Sequence, residues 1–318
     1  MKKMIVLPRI SEDQQHELRQ LAPDWKIVFD KNEAIGTDIY REAEIICGWN
    51  AEAEQLSLQP GTQLRWVQGW AAGVDMMPLD KFEQRGVLLS SASGVHPAPM
   101  SETAFALMLA LTRKVHVAVR HQQSQLWNRD FRLGEMHGKT LLVVGAGEIG
   151  REIAKLAKAF DMQVLGVRRS GNDALFIDRM YSLDGLNAAL ALSDYVVNVL
   201  PLTEATDRLF DEARIASMKN SAFYINIGRG ATTDTAALAA ALAEGRLAGA
   251  GLDVFETEPL PADHPLWRLD NVIVSPHVAG MSDHYNERAV ELFLHNLKHY
   301  LTQDISAMRS VVNYEHQY

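Results

Sequence analysis

The sequence holds one cysteine, Cys47, in 318 residues. No internal disulfide is possible, and the chain suits a reducing compartment. Cys47 follows Ile45-Ile46 and reads as a small buried apolar side chain rather than a nucleophile. No apolar run approaches the length of a membrane span. The apolar part of the N-terminus, Met-Ile-Val-Leu after two lysines, is too short for a signal peptide. Positive charge is scarce: 31 Lys and Arg face 40 Asp and Glu, for a net charge of −9. No basic face stands out, which argues against nucleic acid as the main partner. Solenoid-period repeats and low-complexity tracts are absent. His96, His116 and His121 show no ligand spacing with acidic or Cys partners, so no metal site is expected, and they read as surface or turn histidines. These absences leave an ordinary two-domain globular protein of the cytoplasm, 47% hydrophobic and 22% charged.

What is present is organised around residues 140–169. Leu141–Val144 is a short apolar strand, and Gly145-Ala146-Gly147-Glu148-Ile149-Gly150 follows at once. Ile149, Ile153, Leu156, Ala157 and Phe160 fall at helical spacing, and Met162–Val167 is a second strand. A Gly-x-Gly-x-x-Gly between strand and helix inside one βαβ unit is a dinucleotide site. Gly145 permits the tight turn, Gly147 lets a pyrophosphate approach the backbone, and Gly150 lets the helix pack on the strand. The unpaired N–H groups of the helix, Glu148 and Ile149 among its first residues, then face the phosphates.

Residues 1–98 alternate strand and helix signals. Met4–Leu7 is a strand, and Ser11-Glu12-Asp13-Gln14 is a capping box opening a helix to about Leu21. Strand-like runs recur at Trp25–Phe29, Ile45–Cys47, Leu64–Val67 and Val87–Leu89, predicting a parallel sheet. Gly69–Asp75 follows the fourth of these five with small residues whose N–H groups could meet an anion, although on this segment alone an ordinary βα turn is the better reading. Gly94–Pro99 reads as a stiff connector. Ser101 is expected to cap a long helix with Ala104, Met108, Leu111, Val115 and Val119 in one stripe, and residues 122–137 an extended arm. Beyond the βαβ unit, strands are expected at Tyr195–Leu200, Phe223–Ile227, Ala250–Val254 and Val272–Ser275, giving six in this domain. Ser282 is expected to cap a last helix carrying Ala289, Phe293, Leu297 and Leu301 on one face.

Arg229, Glu258 and His277 each come just after a strand of the second domain. The carboxyl ends of such strands face the ligand crevice, so an arginine, a carboxylate and an imidazole could converge there. Each also has an ordinary alternative: a helix-start surface charge, a loop carboxylate and a turn residue.

Here the chain resembles the D-isomer-specific 2-hydroxyacid dehydrogenase family. The matching stretches are Gly145–Gly150; Asp194-Tyr195-Val196 through Leu200-Pro201-Leu202-Thr203 and Thr206; Met218-Lys219 through Ile225-Asn226 to Arg229-Gly230; Gly249–Phe255 with Glu258-Pro259-Leu260; and Pro265-Leu266-Trp267 through Asn271-Val272-Ile273 to Ser275–Gly280. Over the first hundred residues the match is looser, but Ala72-Gly73-Val74-Asp75 resembles the family's substrate-carboxylate loop.

The resemblance implies an α/β fold of two doubly wound parallel sheets. A flavodoxin-like substrate domain would span 1–99 and 284–318, and a Rossmann cofactor domain 100–283, with a hinge between them. His277 would be the general acid in reduction, Glu258 its partner, and Arg229 the clamp on the substrate's carboxylate. Imidazole as a group titrates near neutrality, as that task requires. Ala72 and Gly73 would hold the other side of the carboxylate. Leu200, Pro201, Thr206, Ile227, Gly228, Asp253 and Gly280 would join the glycines around the cofactor. The family also implies a homodimer built through the cofactor domain.

The ribose end distinguishes the cofactors. An NAD site wants Asp or Glu after the second strand. The chain instead has Arg168-Arg169-Ser170, with no carboxylate before Asp173. Two arginines and a serine suit a 2′-phosphate, so NADP(H) is expected, with NAD(H) as the alternative. Trp49 and Trp70 fall near strand ends of the first domain and read equally as pocket walls or core. Position 103 is Thr, preceded by Met100, where many relatives carry a nearby histidine. No regulatory domain follows residue 318, which argues against the longer phosphoglycerate dehydrogenases.

The expected activity is reduction of a small 2-keto acid of the glyoxylate or hydroxypyruvate kind to the D-2-hydroxy acid. A broad-specificity or phosphoglycerate-type dehydrogenase using NAD is the alternative. A formate or phosphite dehydrogenase ranks below these. A non-catalytic cofactor-sensing dimer on the same fold needs the glycines but not Arg229, Glu258 and His277.

Overall fold

The computed structural model describes residues 1–30 and 35–315; residues 31–34 and 316–318, both within the expected substrate domain of 1–99 and 284–318, lie outside the described residues. Two compact units emerge: Met1–Val95 with Ser282–Tyr318, and His96–Met281.

The first unit runs β1 (Lys3–Val6), α1 (Glu12–Leu21), β2 (Lys26–Phe29), α2 (Thr37–Glu42), β3 (Ala43–Cys47), α3 (Ala51–Ser57), β4 (Trp66–Gln68), α4 (Leu79–Gln84) and β5 (Leu88–Ser90). Helix α1 starts where the capping box puts it: Ser11 Oγ accepts from Gln14 N, and Gln14 Oε1 accepts from Ser11 N. The strands are all parallel, in the order β2-β1-β3-β4-β5, which is the flavodoxin-like arrangement. Apolar side chains cover both faces, as a parallel sheet requires. Cys47 is buried in one of these layers, and burial pushes its thiol well above the ordinary range.

The second unit runs α5 (Pro97–Thr112), α6 (Val115–Gln123), β6 (Thr140–Val144), α7 (Glu148–Lys158), β7 (Gln163–Val167), β8 (Arg179–Tyr181), α8 (Leu186–Leu192), β9 (Tyr195–Asn198), α9 (Glu212–Ala216), β10 (Phe223–Asn226), α10 (Thr235–Ala243), β11 (Gly249–Leu252) and β12 (Val272–Val274). Its parallel sheet is ordered β12-β11-β10-β9-β6-β7-β8. This is the doubly wound arrangement with one added strand, and the order reverses between β6 and β9. Helix α11 (Tyr285–Leu301) returns to the first unit, where Phe293 and Leu297 pack with Met4, Val6 and Trp66.

Several elements depart from expectation. The sheet has seven strands rather than six, because three-residue β8 is too short to show a period. Pro97 and Pro99 do not form a connector but open α5, where proline's missing N–H costs nothing. Ser101 is therefore inside the helix and buried, its hydroxyl donating to Ala98 O. The expected stripe ends at Leu111. Lys114 takes a left-handed φ of 55°, which breaks the helix and leaves Val115 and Val119 half exposed. Ser282 does not cap α11 directly: His284 is the N-cap residue, and Ser282 Oγ accepts its N–H at 3.1 Å. His96 is neither surface nor turn but buried. Among the described residues no helix is long and apolar enough to cross a membrane.

Candidate active site

The site is built where strands of the second sheet end. After β6, Gly145 adopts φ 105°, and a Cβ there would lie 2.8 Å from Val199 O. A Cβ on Gly150 would lie 2.4 Å from Gly145 O, so only glycine lets α7 pack this close. Gly147 differs. It is the N-cap of α7, and a Cβ there would meet nothing within 4 Å. Open space therefore faces the helix end where unpaired N–H groups and the positive end of the dipole favour an anion. This cradle fits a pyrophosphate. Glu148 is exposed and ion-paired with Arg151, while Ile149 packs into the core behind it.

Two asparagines shape the next loops. Asn198 ends β9 and Asn226 ends β10, paired in register. Asn198 Oδ1 accepts Leu200 N at 3.1 Å, and Asn226 Oδ1 accepts Gly228 N at 3.1 Å. Both are buried and joined through hydroxyls. Asn198 Nδ2 donates to Tyr224 Oη and to Thr232 Oγ1, Tyr224 Oη pairs with Thr233 Oγ1, and Asn226 Nδ2 donates to that same Thr233 Oγ1. Burial holds the Tyr224 phenol above its ordinary range. The Arg229 carbonyl accepts from Asn226 Nδ2 and from Thr232 Oγ1, which fixes the backbone that carries the guanidinium. Arg229 Nη1 itself donates to Gly228 O at 3.1 Å. Ile227 and Leu200 are buried, and Pro201 is exposed. Thr206 Oγ1 donates to Pro201 O and accepts Thr203 N, so its hydroxyl closes the loop after β9.

The imidazole and its carboxylate come from the last two strands. His277 Nδ1 lies 2.7 Å from Glu258 Oε2, and Glu258 Oε1 accepts Phe255 N at 2.9 Å. The backbone of Phe255 also abuts Gly230, where a Cβ would fall 1.9 Å from the Phe255 carbonyl carbon. Arg229, Glu258 and His277 are thus tied through one stretch of chain. His277 has a left-handed φ of 55°, which is costly for a residue with a side chain. Asp253 holds it there. Its backbone carbonyl accepts His277 N, and its carboxylate accepts from Ser275 Oγ, Val278 N and Ala279 N. Gly280 lets the buried His96 ring approach, since a Cβ would lie 2.8 Å from His96 Cδ2.

A family model described as "D-isomer specific 2-hydroxyacid dehydrogenase, NAD binding domain" matches residues 105–279. The chain belongs to this family. It is 37% identical over 253 residues to the glyoxylate reductase of Thermofilum pendens, covering 77% of this chain and 74% of that one. A crystal structure of a D-isomer specific 2-hydroxyacid dehydrogenase family protein from Aeromonas salmonicida superposes with a TM-score of 0.84 at 34% identity, over 99% and 100% of the two chains. The NADPH-dependent glyoxylate/hydroxypyruvate reductase of Sinorhizobium meliloti, solved with NADP and sulfate, superposes at 0.83 and 27% identity, over 100% of both chains.

As a D-2-hydroxyacid dehydrogenase the chain is an oxidoreductase with an NAD(P)-binding Rossmann domain. In that domain Arg168 is half-buried directly after β7, its N–H on Tyr181 O, while Arg169 and Ser170 are exposed in the turn closed by Gly171. In the first unit Ala72 and Gly73 are partly exposed after β4. Trp70 packs with Ala92, Val95, Ala289 and Leu292, and Trp49 stands edge-on to Phe82 at 4.9 Å. The sequence reading gave no role to Asn198, Asn226 or Ser275, and it placed Asp253 at the cofactor without seeing that it anchors the His277 loop. A signal was there: a polar residue ends two largely apolar strands, as in Val-Val-Asn and Tyr-Ile-Asn, and another directly follows a third, as in Leu-Asp.

Proposed function

We propose that this dehydrogenase reduces a small 2-keto acid of the glyoxylate or hydroxypyruvate kind to the D-2-hydroxy acid, with NADPH as donor. The observation that carries the reading is the His277–Glu258 pair on the same sheet edge as the Gly147 cradle. When bound, the reduced nicotinamide supplies hydride to the keto carbon. His277, carrying protons on both ring nitrogens, gives the keto oxygen the one on Nε2 and keeps the Nδ1–H engaged by Glu258. Glu258, itself steadied by Phe255 N, fixes the ring orientation and the tautomer. Arg229 offers its planar fork to the substrate's carboxylate. Ala72 and Gly73 are assigned backbone contacts to that carboxylate.

Arg168, Arg169 and Ser170 support NADPH: they place two cations and a hydroxyl where an NAD site carries a carboxylate. The NADPH dependence of the Sinorhizobium meliloti neighbour points the same way. The exposed apolar side chains Val115, Val119, Leu126, Trp127 and Leu133 support a homodimer through the second unit, Trp127 being 91% exposed.

The test follows oxidation of NADPH and NADH separately with glyoxylate, hydroxypyruvate, pyruvate and phenylpyruvate. Fast NADPH oxidation with glyoxylate and hydroxypyruvate is expected. A clear preference for NADH overturns the role of Arg168 and Arg169 and leaves His277 standing. Tight cofactor binding without turnover of any 2-keto acid overturns the reductase reading.

A further inference from the structure

Helix α11 touches the loop after β4 from one face. Tyr285, Ala289, Leu292 and Asn296 recur at spacings of four, three and four, and so share a stripe. Ala289 and Leu292 pack with Ala92, Val95 and the Trp70 ring. The two ends of the stripe are polar. The Tyr285 hydroxyl donates to Trp70 O. Fully buried Asn296 donates from Nδ2 to Gln68 Oε1, and Gln68 Nε2 donates in turn to Gly69 O and Ser91 O at 3.0 Å each. The backbone supplies the rest: Gly69 N donates to Ser90 O, and Ala92 N donates to Ala71 O.

Three consecutive carbonyls, Gly69, Trp70 and Ala71, are therefore each held by a donor from the body of the unit. In a trans peptide the C=O and the N–H of the next residue point in opposite directions. Pinning the Trp70 and Ala71 carbonyls inward turns the N–H groups of Ala71 and Ala72 outward. Successive outward N–H groups form an anion-binding concavity. Packing alone would be served by phenylalanine at 285. The hydroxyl sits half-buried, and burial pushes it up to about 12, so it acts as a donor throughout the working range.

We propose that Tyr285 is a positioning residue for the substrate, its hydroxyl setting the Trp70–Ala71 peptide plane at the head of the loop whose outward amides, Ala71 and Ala72 among them, meet the carboxylate of the keto acid. This rests on the assignment of Ala72 and Gly73 to that carboxylate.

The test compares full-length Tyr285→Phe with wild type, using Glu291→Ala on the exposed face of the same helix as a control. Amide hydrogen exchange is read over residues 69–77 and over β1, and kcat, KM for glyoxylate and the Kd for NADPH are measured. Expected are faster exchange confined to 69–77 and a KM raised about three- to tenfold, the equivalent of one lost hydrogen bond. kcat and the NADPH Kd stay within about twofold of wild type on that account, and the control stays unchanged. Unchanged exchange in the loop overturns the proposal. So does an unchanged KM, or exchange that rises equally in β1, which would mark a general packing role. A wild-type protein that turns over no keto acid refutes the reductase reading instead, while the exchange comparison still decides whether Tyr285 sets the loop.

Discussion

His277 and Glu258 meet at 2.7 Å through Nδ1 and Oε2, and the second oxygen of Glu258 is already taken by the N–H of Phe255. The carboxylate is thus fixed from behind before it engages the ring. An imidazole held at one nitrogen has one nitrogen left for chemistry, and its tautomer is set by the partner.

His277→Asn should lower kcat by at least about a hundredfold, the contribution of a positioned general acid. The Kd for NADPH should stay within about twofold, since the glycine cradle lies on other loops. Stopped-flow turnover with a fluorescence titration of the cofactor checks both. Turnover near wild type removes His277 from its role.

Two of the glycines after β6 should respond differently to the same methyl group. At Gly150 the added Cβ falls 2.4 Å from a backbone oxygen, so Gly150→Ala should lower the thermal midpoint and yield little soluble protein. At Gly147 the Cβ meets nothing within 4 Å, so Gly147→Ala should fold with an unchanged midpoint and lose cofactor affinity. A Gly147→Ala protein that binds NADPH normally would mean that the pyrophosphate lies elsewhere.

Replacing both Arg168 and Arg169 by Ala should raise the KM for NADPH by about tenfold or more, the scale of lost charge-assisted contacts, and leave NADH nearly untouched. The ratio of the two cofactors' kcat/KM reads this directly. An equal effect on both cofactors would place the arginines away from the 2′ position.

Acid stability should depend on Asp194. Burial alone would raise this carboxyl, but the Thr140 N–H and the Lys219 ammonium, both within 3.0 Å, outweigh it and hold the group below the ordinary carboxylate range. A carboxyl lowered by folding contributes stability above its unfolded pKa of about 3.9, and this is lost as pH falls through the lower folded value. Asp194→Asn should therefore melt below wild type at neutral pH, with the gap closing below about pH 4. A gap of constant size across the titration would show that charge plays no part.

Much of this architecture is legible in the sequence because burial on both faces writes a plain signal. Leu141–Val144, Ile45–Cys47 and Tyr195–Val197 are apolar throughout, and each is a central strand. The Ser11–Gln14 box marks α1 because its two hydrogen bonds are local. What was not legible depends on partners distant in sequence. Three residues of β8 gain their identity only by pairing with β7. His96 is buried, and its ring packs against Gly280, far along the chain. The break at Lys114 turns on one backbone angle that no side-chain period encodes. Arg229, Glu258 and His277 were singled out by their position after strands. The asparagines that shape the loops after β9 and β10 look from sequence like ordinary strand ends.

The glycines also divide the site into a locked centre and an editable rim. Missing Cβ atoms at Gly145 and Gly228 bring their loops against the backbone of Val199 and Leu200, and Gly230 does the same against Phe255. These loops touch main chain to main chain, so drift in one cannot be absorbed by a rotamer in the next. Sequence change at the centre has to be concerted across three segments or not occur. At the turn after β7 that constraint lapses: the side chains of Arg169 and Ser170 are exposed to solvent. On the proposed role of Arg168 and Arg169, descendants of this chain would switch cofactor by single steps at the rim while inheriting the centre unchanged.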